Sequence, residues 1–201
     1  MISLLVIALA AAPAPKKEPP PLVELAPKVE GVVIDLRYAT EDNFFKQRLY
    51  PADARCLALE LTADRLAKAA AALKEKGYRL KVWDCYRPYS VQLKMWEVFP
   101  HHGYVADPKI GSNHNRASAV DLTLITLDEK PVEMPTGFDS FKREAHQGYD
   151  KVSDAAKEHR EILRAAMEAA GFITTPMEWW HYDLPEAPRF PVRDEPVNQL
   201  H

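Results

Sequence analysis

Residues 112–124 read Ser112-Asn113-His114-Asn115-Arg116-Ala117-Ser118-Ala119-Val120-Asp121-Leu122-Thr123-Leu124, and the second half of this stretch decides the fold. Val120, Leu122 and Leu124 share one parity while Asp121 and Thr123 share the other, the two-residue period of a half-buried strand. On such a strand Asp121 points off the face opposite the aliphatic side chains, into a cleft. A carboxylate in an apolar strand is costly unless it is paired or metal-bound, so this position asks for a partner. His114 precedes the strand in a segment rich in Ser and Asn, where a loop can return its imidazole to the same point.

About sixty residues on stands Glu178-Trp179-Trp180-His181. A spacing of three puts two side chains on one side of a helical turn but on opposite faces of a strand. Pro176 just before favours a turn. The expectation is therefore Glu178 on a tight turn and His181 at the start of a following strand, with Trp179 and Trp180 in the core. Catalytic zinc takes three protein ligands from His, Asp, Glu or Cys and keeps one position open. His114, Asp121 and His181 are such a set, one ion per chain. A hydrolytic zinc also needs a non-ligand base to carry a proton to the leaving amine, and Glu178 is the candidate.

Working outward, Thr62 is placed to cap a helix over 63–76 that stops at Gly77, with Leu66, Ala69, Ala70 and Leu73 inward. Residues 78–84 read as a strand with Leu80 and Val82 on its apolar face, and Tyr86-Arg87-Pro88 turns the chain out of it. Residues 90–99 form a short helix with Val91, Met95 and Trp96 inward, and His101-His102 follows as a solvent-facing loop. Ser153 caps a second long helix, 154–170, closed by Gly171, with Ile162, Leu163, Ala166 and Ala169 inward. Residues 32–37 read as a strand, 134–139 as a loop, and 172–175 as a strand or its approach. Arg87 offers a guanidinium that stays charged and suits a developing oxyanion, or alternatively a strand-end ion pair with Asp84. The fold class is α+β: one domain, helices packed on a mainly antiparallel sheet, and a zinc cleft.

With 201 residues, 47% of them hydrophobic, the chain holds one well-buried domain rather than two. A net charge of −3 of mixed sign leaves no basic stripe, which argues against nucleic acid as a partner. Residues 1–12 are an apolar run too short to span a bilayer and end in small residues, the pattern of a signal peptide, although no Lys or Arg precedes it. Export to the periplasm or medium is expected, with a cytoplasmic protein as the alternative. Residues 13–22 carry five prolines and form an extended spacer. The domain is expected over 23–193 and an irregular tail over 194–201. Cys56 and Cys85 either pair in an oxidising compartment or stay buried as free thiols.

The joint pattern resembles the zinc D,D-peptidases, and within them the D-alanyl-D-alanine dipeptidases of the VanX type. The resemblance runs from about Val32 to Val192 and rests on five ordered blocks: Tyr38-Ala39-Thr40 with Asn43-Phe44, Trp83-Asp84 with Tyr86-Arg87-Pro88, Ser112 to Leu124, Phe138-Asp139, and Glu178 to Tyr182. It implies zinc on His114, Asp121 and His181, Glu178 as base and Arg87 at the oxyanion. It further implies that Asp139 receives the free ammonium of a small dipeptide, with Ser112 and Tyr38 as further substrate contacts. Two positions depart from the pattern. Ala117 replaces a Gly in the first motif and Pro135 a Gly before the Phe-Asp block, and a positive φ at either place would strain the loop. The rival readings are a D,D-carboxypeptidase with the same metal site and a non-catalytic cell-wall binding module.

Overall fold

The computed structural model describes residues 19–199; the expected signal segment and the spacer up to residue 18 lie outside the described residues, as do the last two residues. The five-stranded sheet runs in the order β2 (Val33–Ile34), β4 (Tyr78–Asp84), β5 (Ala119–Thr126), β7 (Glu178–Asp183), β6 (Ile173–Thr175). Only the β2–β4 pair is parallel; β4–β5, β5–β7 and β6–β7 are antiparallel. A separate antiparallel ribbon joins β1 (Leu22–Glu24) to β3 (Leu57–Leu59). The helices are α1 (Leu25–Lys28), α2 (Glu60–Glu75), α3 (Tyr89–Val98) and α4 (Asp154–Ala169). This is the α+β architecture expected, and among the described residues no helix is long and apolar enough to cross a membrane.

Helices α2 and α4 pack against each other and on the sheet, α2 over β4 and α4 over β5, β6 and β7. Leu66, Leu73 and Leu163 on their inner faces are fully buried, and burying each contributes roughly 2 kcal/mol. That exceeds the ~1 kcal/mol a side-chain N-cap supplies, and α2 indeed forms without one. It starts at Glu60, straight out of β3, not at residue 63 behind a Thr62 cap. Thr62 is buried in the first turn and donates its hydroxyl to the Ala117 carbonyl at 3.0 Å, so it serves the loop of the first motif instead. Helix α4 does have the expected cap, Ser153 Oγ accepting from the Ala156 N–H at 3.0 Å. Its inner face is carried by Met167 rather than Ala169, which is exposed.

A second core gathers Tyr38, Phe45, Tyr50, Leu57, Tyr86, Val91 and Met95 around the ribbon and α3. Only Val33 and Ile34 of the expected 32–37 strand pair with a neighbour; the chain then tightens into a 3-10 turn, Arg37–Ala39, that swings Tyr38 into this core. Strand β5 is buried on both faces from Ala119 to Ile125, so its polar parity is covered too, by the groups of the cleft. Residues beyond the last strand remain irregular and packed: Arg55 donates its backbone N–H to the Val197 carbonyl at 3.0 Å, and Val197 is buried.

Candidate metal centre and active site

Three adjacent strands meet in one row. The β4–β5 register shifts between Val82 and Asp84, which sets Asp84 opposite Asp121, and the β5–β7 register sets Asp121 opposite His181. Residues directly opposite on neighbouring strands share a face about 5 Å apart, so Asp84, Asp121 and His181 point into the same cleft. Glu178 is the first residue of β7 rather than part of a preceding turn. An unbroken strand would send Glu178 and His181 to opposite faces. The β6–β7 ladder, however, pairs Thr174 with Tyr182 and then Thr175 with Glu178, an irregularity that resets the alternation. Glu178 Oε2 consequently lies 3.9 Å from His181 Nδ1.

His114 enters from a 3-10 turn, His114–Arg116, ahead of β5. One ligand atom from each of His114, Asp121 and His181 falls within 4.8 Å of the others, and among the described residues these three form the candidate metal cluster. Both imidazoles are fixed by their second nitrogen. His114 Nδ1 donates to the Cys85 carbonyl at 2.7 Å, and a carbonyl can only accept, so the neutral ring presents its Nε2 lone pair inward. Nε2 lies 3.3 Å from Asp121 Oδ1 and 3.2 Å from His181 Nδ1. His181 Nε2 lies 3.0 Å from Asp183 Oδ1, which leaves Nδ1 facing Asp121 Oδ1 at 2.9 Å. A carboxylate and two imidazoles whose far nitrogens are hydrogen-bonded are a donor set and outer support that could hold a divalent metal ion. His101 and His102 are exposed, as expected of a loop, with His101 stacked on Phe99.

Arg87 forms the ion pair with Asp84 that was one of its two alternatives. Its Nε and Nη2 donate to Asp84 Oδ2 at 3.0 and 2.6 Å, its Nη1 donates to Gln92 Oε1 at 2.9 Å, and Nη2 reaches within 3.9 Å of Asp121 Oδ2 at the cleft. Asp84 also accepts from the Tyr50 hydroxyl at 2.6 Å. Asp139 takes the Tyr38 hydroxyl at 3.1 Å and the Phe44 N–H at 3.4 Å. Ser112 Oγ accepts from the His114 N–H at 3.2 Å, and its side chain lines the same cavity of about 340 Å3 as Tyr38, Arg87, Asp139 and Glu178.

The electrostatics of this cavity ask for cations. Burial raises the Glu178 carboxyl to about 8 and, with the Asp121 charge beside it, raises Asp139 to about 7. Burial acts the same way on Asp121, but His114 and His181 overcome it and hold that carboxyl well below the usual range. His181 is raised well above the usual imidazole value because Asp183 and Asp121 outweigh its own burial. A cation in this cavity would relieve this acidic excess.

Of the two family departures, Ala117 does adopt the left-handed conformation, φ 56°, while Pro135 has no positive φ. Asp139 itself sits at φ 55°. Sequence reasoning missed Asp183, Gln92 and Tyr50. Asp183 follows His181 by two on one strand and so shares its face, a signal already present once His181 was placed on a strand; Gln92 and Tyr50 come from segments whose approach only the tertiary packing sets.

The comparisons agree with this geometry. The family model for D-Ala-D-Ala dipeptidases, peptidase family M15, matches residues 19–200. A D-alanyl-D-alanine dipeptidase of Escherichia coli (strain K12) is 36% identical over 171 residues, 85% of this chain and 88% of that protein. Proteins of the same name from Enterococcus faecium and Enterococcus faecalis are 33% and 32% identical over 186 residues, each alignment covering 80% of this chain and 89% of the relative. With a match over nearly the whole length and its motifs brought together at a candidate metal cluster, the chain belongs to the D-Ala-D-Ala dipeptidase family.

Proposed function

We propose that the protein hydrolyses D-alanyl-D-alanine to two D-alanines at a single zinc ion held by His114 Nε2, the Asp121 carboxylate and His181 Nδ1. The observation that carries this reading is the convergence of those three ligand atoms within 4.8 Å on the wall of a cavity that also presents Glu178, Arg87 and Asp139. When bound, the zinc supplies Lewis acidity toward the scissile carbonyl and its attacking water. Glu178, which is not one of the ligands and lies 3.9 Å from His181, accepts a proton from that water and returns it to the departing amine. Arg87, clamped by Asp84 and Gln92, directs a fixed positive charge to where the carbonyl oxygen gains negative charge. Asp139, oriented by Tyr38, receives the free ammonium of the dipeptide at short range, and Ser112 completes the substrate contacts.

An enzyme of this kind meets its substrate in cell-wall metabolism, and we place it in the periplasm or the medium. The apolar residues 1–12 support that location, and so does the Cys56–Cys85 disulfide, since such bonds persist in oxidising compartments.

The test is D-alanine release from D-Ala-D-Ala and from its N-acetylated form by zinc-loaded protein, beside Glu178→Ala. Hydrolysis of the free dipeptide alone, abolished in the variant, is the expected result. Hydrolysis of the blocked substrate would reassign the protein as a D,D-carboxypeptidase, and zinc binding without hydrolysis of either would reduce it to a binding module.

A further inference from the structure

The two cysteines stand outside the proposed chemistry, yet one of them touches it. Cys56 and Cys85 form a disulfide with Cα atoms 5.5 Å apart, closing 29 residues of sequence, and both are buried. Cys85 is the first residue beyond β4, past the register shift that turns Asp84 toward the cleft, so it no longer has the sheet ladder to hold it. Its carbonyl is the acceptor of His114 Nδ1 at 2.7 Å. That hydrogen bond selects the tautomer that frees His114 Nε2 and sets the ring plane. On the far side of the bridge, Cys56 leads into β3 and is anchored by its own carbonyl, which accepts from the Leu25 N–H at 2.9 Å. The next residue along from Cys85 is tied back the same way, the Tyr86 N–H donating to the Leu57 carbonyl at 2.8 Å. Asp84 lies 3.5 Å from the same His114 nitrogen but already accepts two bonds from Arg87 and one from Tyr50, so it does not replace the Cys85 carbonyl as the acceptor that selects the tautomer.

We propose that the Cys56–Cys85 disulfide is a positioning element of the metal site: by fixing the Cys85 carbonyl it holds His114 in its ligating tautomer and orientation. This deepens the single-zinc reading above and rests on it. The bridge acts through the backbone of Cys85, so neither sulfur meets the metal or the substrate. Its loss loosens the acceptor and weakens zinc affinity by about tenfold or more, the usual consequence of losing an outer partner of a ligating histidine. A disulfide that only stabilises the fold would lower the melting temperature and leave affinity alone.

The experiment is a competitive zinc titration of the full chain as wild type, as Cys56→Ala/Cys85→Ala and as Leu163→Ala, a core substitution in α4 that destabilises without approaching the cleft. The 15N chemical shifts of the His114 ring in the zinc-free proteins report its tautomer independently of activity. The expected result is a zinc Kd raised about tenfold or more in the double alanine variant, with a mixed His114 tautomer, and an unchanged Kd in Leu163→Ala. If the double variant does not fold in buffer, the same titration of the double variant and wild type, both in an excluded osmolyte such as TMAO that favours the folded state, asks the same question. An unchanged Kd and a pure Nδ1–H tautomer without the disulfide would overturn the inference while leaving the zinc reading intact. Failure of the oxidised wild type to bind zinc, or binding undiminished in His114→Ala, would overturn the metal-site reading and this inference with it.

Discussion

Replacing Asp84 by Asn removes one charge from the interior and tests the frame of the site directly. Asp84 is fully buried, and its carboxylate accepts two hydrogen bonds from Arg87, at 3.0 and 2.6 Å, and one from Tyr50 at 2.6 Å. The amide keeps an acceptor of the same shape but no charge, and its NH2 group faces donors. Breaking one side of a buried ion pair costs about 3–5 kcal/mol because the surviving charge is left uncompensated. Arg87 can recover some of this by moving onto Asp121, already 3.9 Å away, so the loss should fall near the lower end, about 3 kcal/mol. For a domain of this size each kcal/mol shifts the melting temperature by about 2–4 °C, so a fall of about 6–12 °C is expected. Denaturant unfolding should show a lower midpoint with unchanged slope. The double variant Asp84→Leu/Arg87→Met should be more stable than Asp84→Asn, since it removes the stranded charge as well. A loss below about 1 kcal/mol, or a double variant less stable than the single, would refute the view that this pair is a desolvated, mutually dependent unit.

Asp139→Asn should cut kcat/KM for D-Ala-D-Ala by about 30-fold or more, the effect of losing one partner of a buried charge pair; an unchanged kcat/KM in steady-state assays would move the ammonium site elsewhere. The metal-free protein should lose stability as pH rises from about 5 to about 8. Glu178 and Asp139 have folded values of about 8 and about 7, above their ordinary carboxyl values, so their proton-linked stabilisation is complete at low pH and lost through that window; the raised His181 acts in the same direction. Melting curves in chelator at pH 5 and pH 8 check the sign, and Glu178→Gln/Asp139→Asn should flatten the dependence. Ala117→Gly trades relief of the left-handed conformation, about 1 kcal/mol, against a lost buried methyl of about 0.8 kcal/mol and a more flexible unfolded chain, about 0.4–1 kcal/mol. Urea unfolding should therefore find it within about 1 kcal/mol of wild type, whereas a clear gain would show that the strain at φ 56° is larger than this balance allows.

Much of the molecule was legible in the sequence. The parity of residues 120–124 and 78–84 marks two strands that stand where expected, because a two-residue period has one buried solution. Gly77 and Gly171 end their helices at φ 87° and 96°, conformations that a glycine adopts without cost. That Asp121 would need a partner was legible because a carboxylate inside an apolar strand is costly alone, and His114 and His181 stand within reach of it. What local pattern misjudged were positions where a tertiary contact outbid a local one. Thr62 bonds to the Ala117 loop instead of capping its helix. Glu178 lies in a strand whose ladder slips against β6, so the three-residue spacing that pointed to a turn is satisfied by an irregular pairing.

By itself the sequence determined the strand that bears Asp121 and offered His114, His181 and Glu178 as its companions, since these follow from residue chemistry and from that strand's period; the candidate charge anchor Asp139 came only through the family resemblance. Only the tertiary structure decided that Asp84, Asp121 and His181 stand in one row, that Cys56 meets Cys85, and that Asp183 and the Cys85 carbonyl orient the two imidazoles. The physical reason is register. Distances across a sheet depend on how strands slide past one another, and here two slips, one in β4–β5 and one in β6–β7, set the site; a slip is a property of the pair and is written in neither strand alone.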